Sequence, residues 1–220
     1  MEKMRKKALK IILGSEGSIG IGAMIVFISM VLVAGIAASV LIQTSTSLET
    51  KALATGRETT AEVSTGISVT KIIGNNTSGT IQYLAIIVRP RAGSADIDLG
   101  ETVIEISNSS TKNFLIYDTD KYVSQADIDG NIFTSSAYCE GNTNFSIIVI
   151  EDADGSCSSG TSAMINAGDY VILGVNTSSC FGGLNPREDV WGKVIPEEGS
   201  PGVINFKCPA SFFNEVVDLQ

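Results

Sequence analysis

The sequence has no histidine. That removes Ser-His-Asp and Cys-His catalytic pairs, and with them the zinc patterns that rely on imidazole ligands. No G-x-S-x-G, Walker A or H-E-x-x-H segment is present either, so the usual acyl-transfer, nucleotide and metalloprotease signatures are missing. Carboxylates are plentiful, but no spacing singles out two of them as a glycosidase pair. The chain reads as a non-enzyme. Cations are scarce: 15 Lys and Arg stand against 24 Asp and Glu, a formal charge of -9. Nucleic acid needs clustered Lys and Arg, so it is excluded as a partner. An acidic surface suits solubility outside a cell.

The longest absence organises the chain. Between Gly17 and Glu49 there is no Asp, Glu, Lys or Arg. A helix needs roughly 20 apolar residues to span a bilayer, and this run is longer. It is apolar on every side, without the solvent face of an ordinary surface helix. Such a helix lies in lipid or among other helices. Ala34/Ala38 and Gly35/Ser39 form small-xxx-small pairs, and Gly20 and Gly22 are also small; small residues let helices approach closely where burial from water supplies no drive. Phe27 and its bulky neighbours fill the space between. The alternative is a lone anchor whose small residues carry no meaning. From Gln43 the composition turns polar, and the helix is expected to continue to about Val63 and end near Gly66. That makes a rod of roughly 65 Å, longer than a bilayer is thick.

Residues 1–17 carry Lys3, Arg5, Lys6, Lys7 and Lys10 against Glu2 and Glu16, a net of +3; without them the rest carries -12. A secretory signal peptide places its apolar run before the cleavage point, whereas here the run follows a candidate cut at Gly17–Ser18. That order fits a type IV pilin-like precursor, with an uncut signal-anchor helix as the alternative. Glycines 14, 17, 20 and 22 do not have the i, i+2, i+5 spacing of a dinucleotide-binding loop.

From Ile67 the pattern becomes strand-like. ISVTKII, TIQYLAIIV, TVIEIS, NFLIY, FSIIVI, YVILGV, VWGKVI and GVINF are separated by Gly, Asn, Asp, Ser and Pro. About eight short strands without intervening amphipathic helices argue for an antiparallel sandwich or barrel. The fold class is therefore α+β: a long hydrophobic helix followed by an Ig-like β-sandwich or barrel. The expected divisions are a leader over 1–17, the helix over 18–65 and a β-domain over 66–220.

Cys139, Cys157, Cys180 and Cys208 all lie in the polar C-terminal half. An even count in an exported domain suggests two disulfides. Cys139 and Cys157 flank the Phe145–Glu151 run, so a local bridge is expected there, leaving Cys180–Cys208; four buried thiols are the alternative. Asn75, Asn76, Asn108, Asn144 and Asn176 begin N-x-[ST] sequons, candidates for surface glycosylation. Adjacent Asn75 and Asn76 cannot readily both be modified. The acidic clusters Asp118/Asp120, Asp127/Asp129 and Glu151/Asp152/Asp154 raise calcium as a ligand, since hard cations want converging oxygens. None matches the D-x-[DN]-x-[DN]-G loop with its distal Glu, and no residue set is assigned to a metal.

Three segments carry a family resemblance. SIGIGAMIVFISMVLVAGIAASVLIQTS resembles the N-terminus of archaeal flagellins, or archaellins. RAGSADIDLGETVIEIS resembles that family's first-strand region, and PREDVWGKVIPEEGSPGVINFKCPASFFNEVVDLQ its C-terminal segment. Together they span nearly the whole chain. The resemblance implies a structural subunit of the archaellum, the swimming filament, located outside the cell with its precursor in the cytoplasmic membrane. It implies removal of the leader by a prepilin-type peptidase between Gly17 and Ser18. Ser15 and Glu16 stand where many family members carry two basic residues, and Gly14–Ser15 is the second-choice cut. The implied partners are further copies of the chain or related archaellins, the membrane before assembly, and the archaellum's membrane assembly and motor platform. An adhesive archaeal pilin and a membrane-anchored extracellular protein are the competing readings.

Overall fold

A computed structural model describes the backbone of residues 2–128, 130–133 and 135–220, and the side chains of residues 20–220 apart from 129, 134 and 135. Two compact units result, Met1–Arg57 and Glu58–Gln220. The divide falls inside the first helix, ahead of the 65/66 boundary read from the sequence.

Helix α1 (Glu2–Ser64) is continuous. Its described residues from Gly20 to Thr60 are all exposed. Hydroxyls on it fold back onto the preceding turn: Ser29 Oγ donates to Ile25 O at 2.8 Å, Thr46 Oγ1 to Ile42 O at 2.7 Å and Thr50 Oγ1 to Thr46 O at 2.9 Å. These polar side chains thus satisfy themselves without water, which a helix in lipid requires.

The second unit is β-rich. Its strands are β1 (Ile67–Thr77), β2 (Thr80–Pro90), β3 (Ile97–Asp98), β4 (Val103–Ser107), β5 (Lys112–Val123), β6 (Asn144–Glu151), β7 (Met164–Ile165), β8 (Tyr170–Asn176), β9 (Asp189–Ile195), β10 (Gly202–Lys207) and β11 (Val216–Asp218), with a short helix α2 (Thr177–Phe181) after β8. All eight runs read from the sequence are strands. Nine strands form one sheet in the order β10-β9-β4-β5-β6-β8-β2-β1-β11, and β3 pairs with β7. Pairing is antiparallel except between β5 and β6, which run parallel. The architecture is thus one large curled sheet rather than two separate layers, and it fits an Ig-like sandwich approximately. The β1–β2 hairpin closes on Ser78 and Gly79, both at positive φ (57° and 86°), the conformation a two-residue turn needs to match the strand twist.

The curl brings the sheet's ends together. Ile67 N donates to Ser200 O (3.1 Å) and Ser200 N to Thr65 O (2.9 Å). Gln220 completes the seam: its backbone O accepts from Ile72 N on β1 (3.0 Å), and its Oε1 accepts from Asn205 N on β10 (3.0 Å).

The main core gathers Ile67, Ile72, Leu84, Ile86, Ile104, Leu115, Phe145, Leu173, Val194 and Ile204, among others, inside the curl. A second cluster lies on the other face of the central strands, where Phe133, Ala137 and Tyr138 cover Ala85, Ile148 and Ile172. This explains the sequence texture. β2, β6 and β8 are covered on both faces and read as nearly unbroken apolar runs, whereas β9 and β10 alternate buried and exposed positions.

Candidate functional site

The largest unsatisfied surface is α1 itself. Between Ile21 and Ile42 fourteen large apolar side chains are each more than half exposed, Phe27 at 68% among them. Burying each is worth about 1.5 kcal/mol or more, roughly 20 kcal/mol in sum, which exceeds the net stability of a typical domain. Water is therefore not the helix's working environment. A Cβ placed on Gly20, Gly22 or Gly35 would meet nothing within 4 Å. Gly35, Ala34 and Ala38 lie on exposed surface, with room for a neighbouring helix to come close. Gly17 and Ser18, the expected cleavage pair, lie outside the described side chains.

A second site lies in the loop after β6. Asp152, Asp154 and Asp169 each bring a carboxylate oxygen within 4.8 Å of the others. The turn builds the cluster from its own backbone. Asp152 Oδ1 accepts from Gly155 N (2.8 Å) and its Oδ2 from Cys157 N (3.1 Å), while Asp154 Oδ1 accepts from Ser156 N (3.0 Å). Asn166 ties the far side, donating from Nδ2 to Asp154 Oδ2 (2.6 Å) and from its backbone N to Asp169 Oδ2 (2.8 Å). The Asn166 amide, then the Ser156 N–H, hold the Asp154 carboxyl below its ordinary range. Asp169 is only 1% exposed, and its Oδ1 is buried without a hydrogen-bond partner. A buried, half-satisfied carboxylate is costly; a divalent cation held by these oxygens would relieve it.

The sequence grouped Glu151 with Asp152 and Asp154 and missed Asp169. Glu151 is exposed at the end of β6. Asp169 comes in from the turn before β8, and its only sequence signal is the turn-like Asn166-Ala167-Gly168-Asp169. The other acidic clusters are not brought together with a third carboxylate among the described residues. Asp127 accepts from Ser124 Oγ (2.6 Å), and Asp129 lies outside the described residues.

The cysteines correct an expectation. Cys139, Cys157, Cys180 and Cys208 are all free and buried, so neither the Cys139–Cys157 nor the Cys180–Cys208 bridge is formed. Two of the sulfurs point at oxygens: Cys139 Sγ lies 3.9 Å from Asp118 Oδ2, and Cys180 Sγ 3.9 Å from Asn142 O. Burial pushes the Cys139, Cys180 and Cys208 thiols up to about 11. Burial, with Asp152 and Asp169 adding to it, pushes Cys157 up to about 12. These are small core residues, protonated and unreactive at neutral pH.

The five sequons differ in what their amides do. Asn108 and Asn176 are buried, donating from Nδ2 to Glu188 Oε1 (2.6 Å) and Cys139 O (2.9 Å). Asn176 also caps α2 by accepting from Ser179 N (3.1 Å). Asn75 is buried, and Asn76 donates to Asn214 O (3.2 Å). Asn144 is half-buried beside Ile116, and its Oδ1 accepts from Thr143 Oγ1 (2.7 Å).

Comparison with known proteins agrees with this layout. The family model for archaeal-type flagellin matches residues 17–206. Flagellin B2 of Methanocaldococcus jannaschii is 45% identical over 220 residues, covering 97% of this chain and all of that one. Flagellin B1 of Methanococcus voltae is 39% identical over 93% of this chain and 95% of its own. The crystal structure of archaeal flagellin FlaB1 from Methanocaldococcus jannaschii superposes with a TM-score of 0.64 at 34% identity, over 71% of this chain and 97% of that chain. The archaeal flagellum of Methanospirillum hungatei shares the fold at a TM-score of 0.62 and 12% identity, over 91% of this chain and 98% of that chain. The apolar helix, the curled sheet that follows it in the sequence and these matches along almost the whole length make the chain a member of the archaeal-type flagellins.

Proposed function

We propose that the chain is a structural subunit of an archaellum filament, extracellular when assembled, with no catalytic step of its own. The observation that carries this reading is α1: a helix without a wet face, wholly exposed from Gly20 to Thr60, in a chain of the archaeal-type flagellin family. Before assembly the helix rests in the cytoplasmic membrane, its backbone bonded internally and its side chains solvated by lipid. A prepilin-type peptidase cuts between Gly17 and Ser18. The cut removes five cations that would be buried unpaired in a packed bundle. The trimmed helix then docks among others, with the small residues at Gly20, Gly22, Ala34, Gly35 and Ala38 setting the close approaches. A head-to-tail contact that does not close builds an open helical filament. The β-units form the outer wall, and the membrane motor platform turns the whole.

Two refinements rest on the second unit. Asp152, Asp154 and Asp169 hold a divalent cation, calcium by the all-oxygen donor set, a reading supported by the unpartnered Asp169 Oδ1. Glycan is carried at Asn144, supported by the engagement of the other sequon amides or the burial of their residues.

Electron microscopy of sheared surface filaments, with N-terminal sequencing of the subunit, tests the central claim. Filaments whose subunit begins at Ser18 are expected. A mature chain beginning at Met1 without filaments would mean an anchored protein. Filaments in a strain whose swimming survives deletion of the chain would mean an adhesive pilus.

A further inference from the structure

A strand covered on one face normally shows polar residues on the other. At the sheet's β10-β9-β4-β5 end, large apolar side chains interleave with the polar ones. Its outward positions fall into register as rows. Ile116, Val103 and Ile195 make one; Phe114, Glu105, Lys193 and Val203 the next; Lys112, Trp191 and Asn205 the third, with Ser107 buried between Lys112 and Trp191. Phe114, Ile116, Trp191, Ile195 and Val203 are between 37% and 59% exposed. Trp191 is the single tryptophan of the chain. Charge on these rows is largely cancelled. Lys112 Nζ lies 2.7 Å from Glu105 Oε1 and 5.1 Å from the Phe114 ring centre. That leaves Lys193, for which no ion pair exists among the described residues.

A protruding shape sits in the segment that joins β10 to β11. In the segment leading into β11, Phe212 turns inward onto the core while Phe213 is 92% exposed. Two residues on, Glu215 is exposed, also without an ion pair among the described residues. An aromatic knob with an acid beside it, and an apolar face with a lysine in it, are complementary in both greasiness and sign. A contact between different patches on identical copies is the kind that propagates. The chain's charge of -9 makes copies repel, so such a contact has to use a place where negative charge is lacking.

We propose that the Phe114–Trp191–Val203 face of one subunit receives the Phe213 knob of a second copy, with Glu215 of the knob against Lys193 of the face. This rests on the filament reading above and names a contact of the outer wall, separate from the helix bundle. Aromatic anchors in a desolvated centre dominate such contacts, and the charge pair fixes register.

The test uses the full-length chain produced in an archaellated host lacking its own subunits, with sheared filaments measured by electron microscopy. K193E and E215K each shorten filaments by about threefold, the size expected of one exposed charge pair set repulsive; the K193E/E215K double restores the length. W191A and F213A each raise the unassembled subunit level about tenfold or more, and together do no more than the stronger single, because both cut one contact. Trypsin resistance of the unassembled subunit confirms that each variant is folded. Carbodiimide treatment of wild-type filaments couples Lys193 to Glu215 by an amide, the reagent taking up the water as a urea. Filaments that ignore the charge reversals, a double as short as its singles, or Lys193 coupled to another protein overturn the proposal. If the wild-type chain builds no filament at all, the filament reading falls first and the contact with it.

Discussion

At the scale of the residue, Asp169 carries the sharpest expectation. Its buried Oδ1 has no partner, and its neighbours Asp152 and Asp154 are acids. Removing a cation held at about a hundred times its dissociation constant costs about 2.7 kcal/mol. A chelator should therefore lower the thermal midpoint of the β-unit by roughly 5–10 °C, read by Trp191 fluorescence. Asp169→Asn should unfold at the same temperature with and without chelator. A midpoint in the parent that chelator leaves unmoved would rule the cation out. The thiols make a second expectation, whose sign follows from their raised pKa values. A group pushed up on folding adds stability that is complete below its unfolded value, near 9, and is lost as pH climbs toward 11 or 12. Unfolding should thus become easier above pH 9. At pH 7 the native chain should resist alkylation, and the urea-unfolded chain should take up four labels without reductant. Fewer than four labels would restore the expected bridges.

At the scale of the element, α1 was legible because nothing competes with its signal: no charge from Ser18 to Leu48 and no polar stripe. The helix ends at Ser64, one residue past the Val63 read from the weak spacing of Leu48, Ala52 and Leu53. The eight main strands were legible for the same reason, through β-branched runs between turn residues. What escaped was short or set by tertiary pairing. β3, β7 and β11 have two or three residues each, too few for a period to show. The parallel β5–β6 pair is a matter of topology, since the 20 residues between these strands make a covering segment that no local pattern announces. Asp169 escaped because its partners lie across a turn and a two-residue strand. The helix prediction is specific. Ala34→Leu should prevent close approach of neighbouring helices while leaving membrane insertion intact, because Leu is as apolar as the lipid. Subunit should accumulate in the membrane and filaments should be few or short by electron microscopy. Val31→Lys should instead hinder insertion, at a cost of about 3 kcal/mol for a charge at mid-bilayer, and reduce the membrane-bound pool. Normal filaments from Ala34→Leu would mean that the small residues do not set the packing.

At the scale of the whole molecule, the two units divide the labour that the composition announces. The first supplies an apolar helix whose exposed side chains call for lipid or other helices. The second supplies an acidic exterior that keeps copies soluble and apart except where contact is specified. The proposed glycan would belong to that exterior. Peptide mapping should find sugar on Asn144 and bare amides at Asn108 and Asn176; modification at either of the latter would mean that attachment precedes folding of the strands around it.

The seam at Gln220 bears on that exterior. Sheet margins left bare recruit passing strands, and a shaft that displays very many identical sheets side by side offers every chance for such mispairing. Here one glutamine, reaching from β1 to β10, engages Ile72 N and Asn205 N, two of the groups that would otherwise invite it. Fewer free edge groups leave neighbouring subunits along a crowded filament less prone to fuse strand to strand.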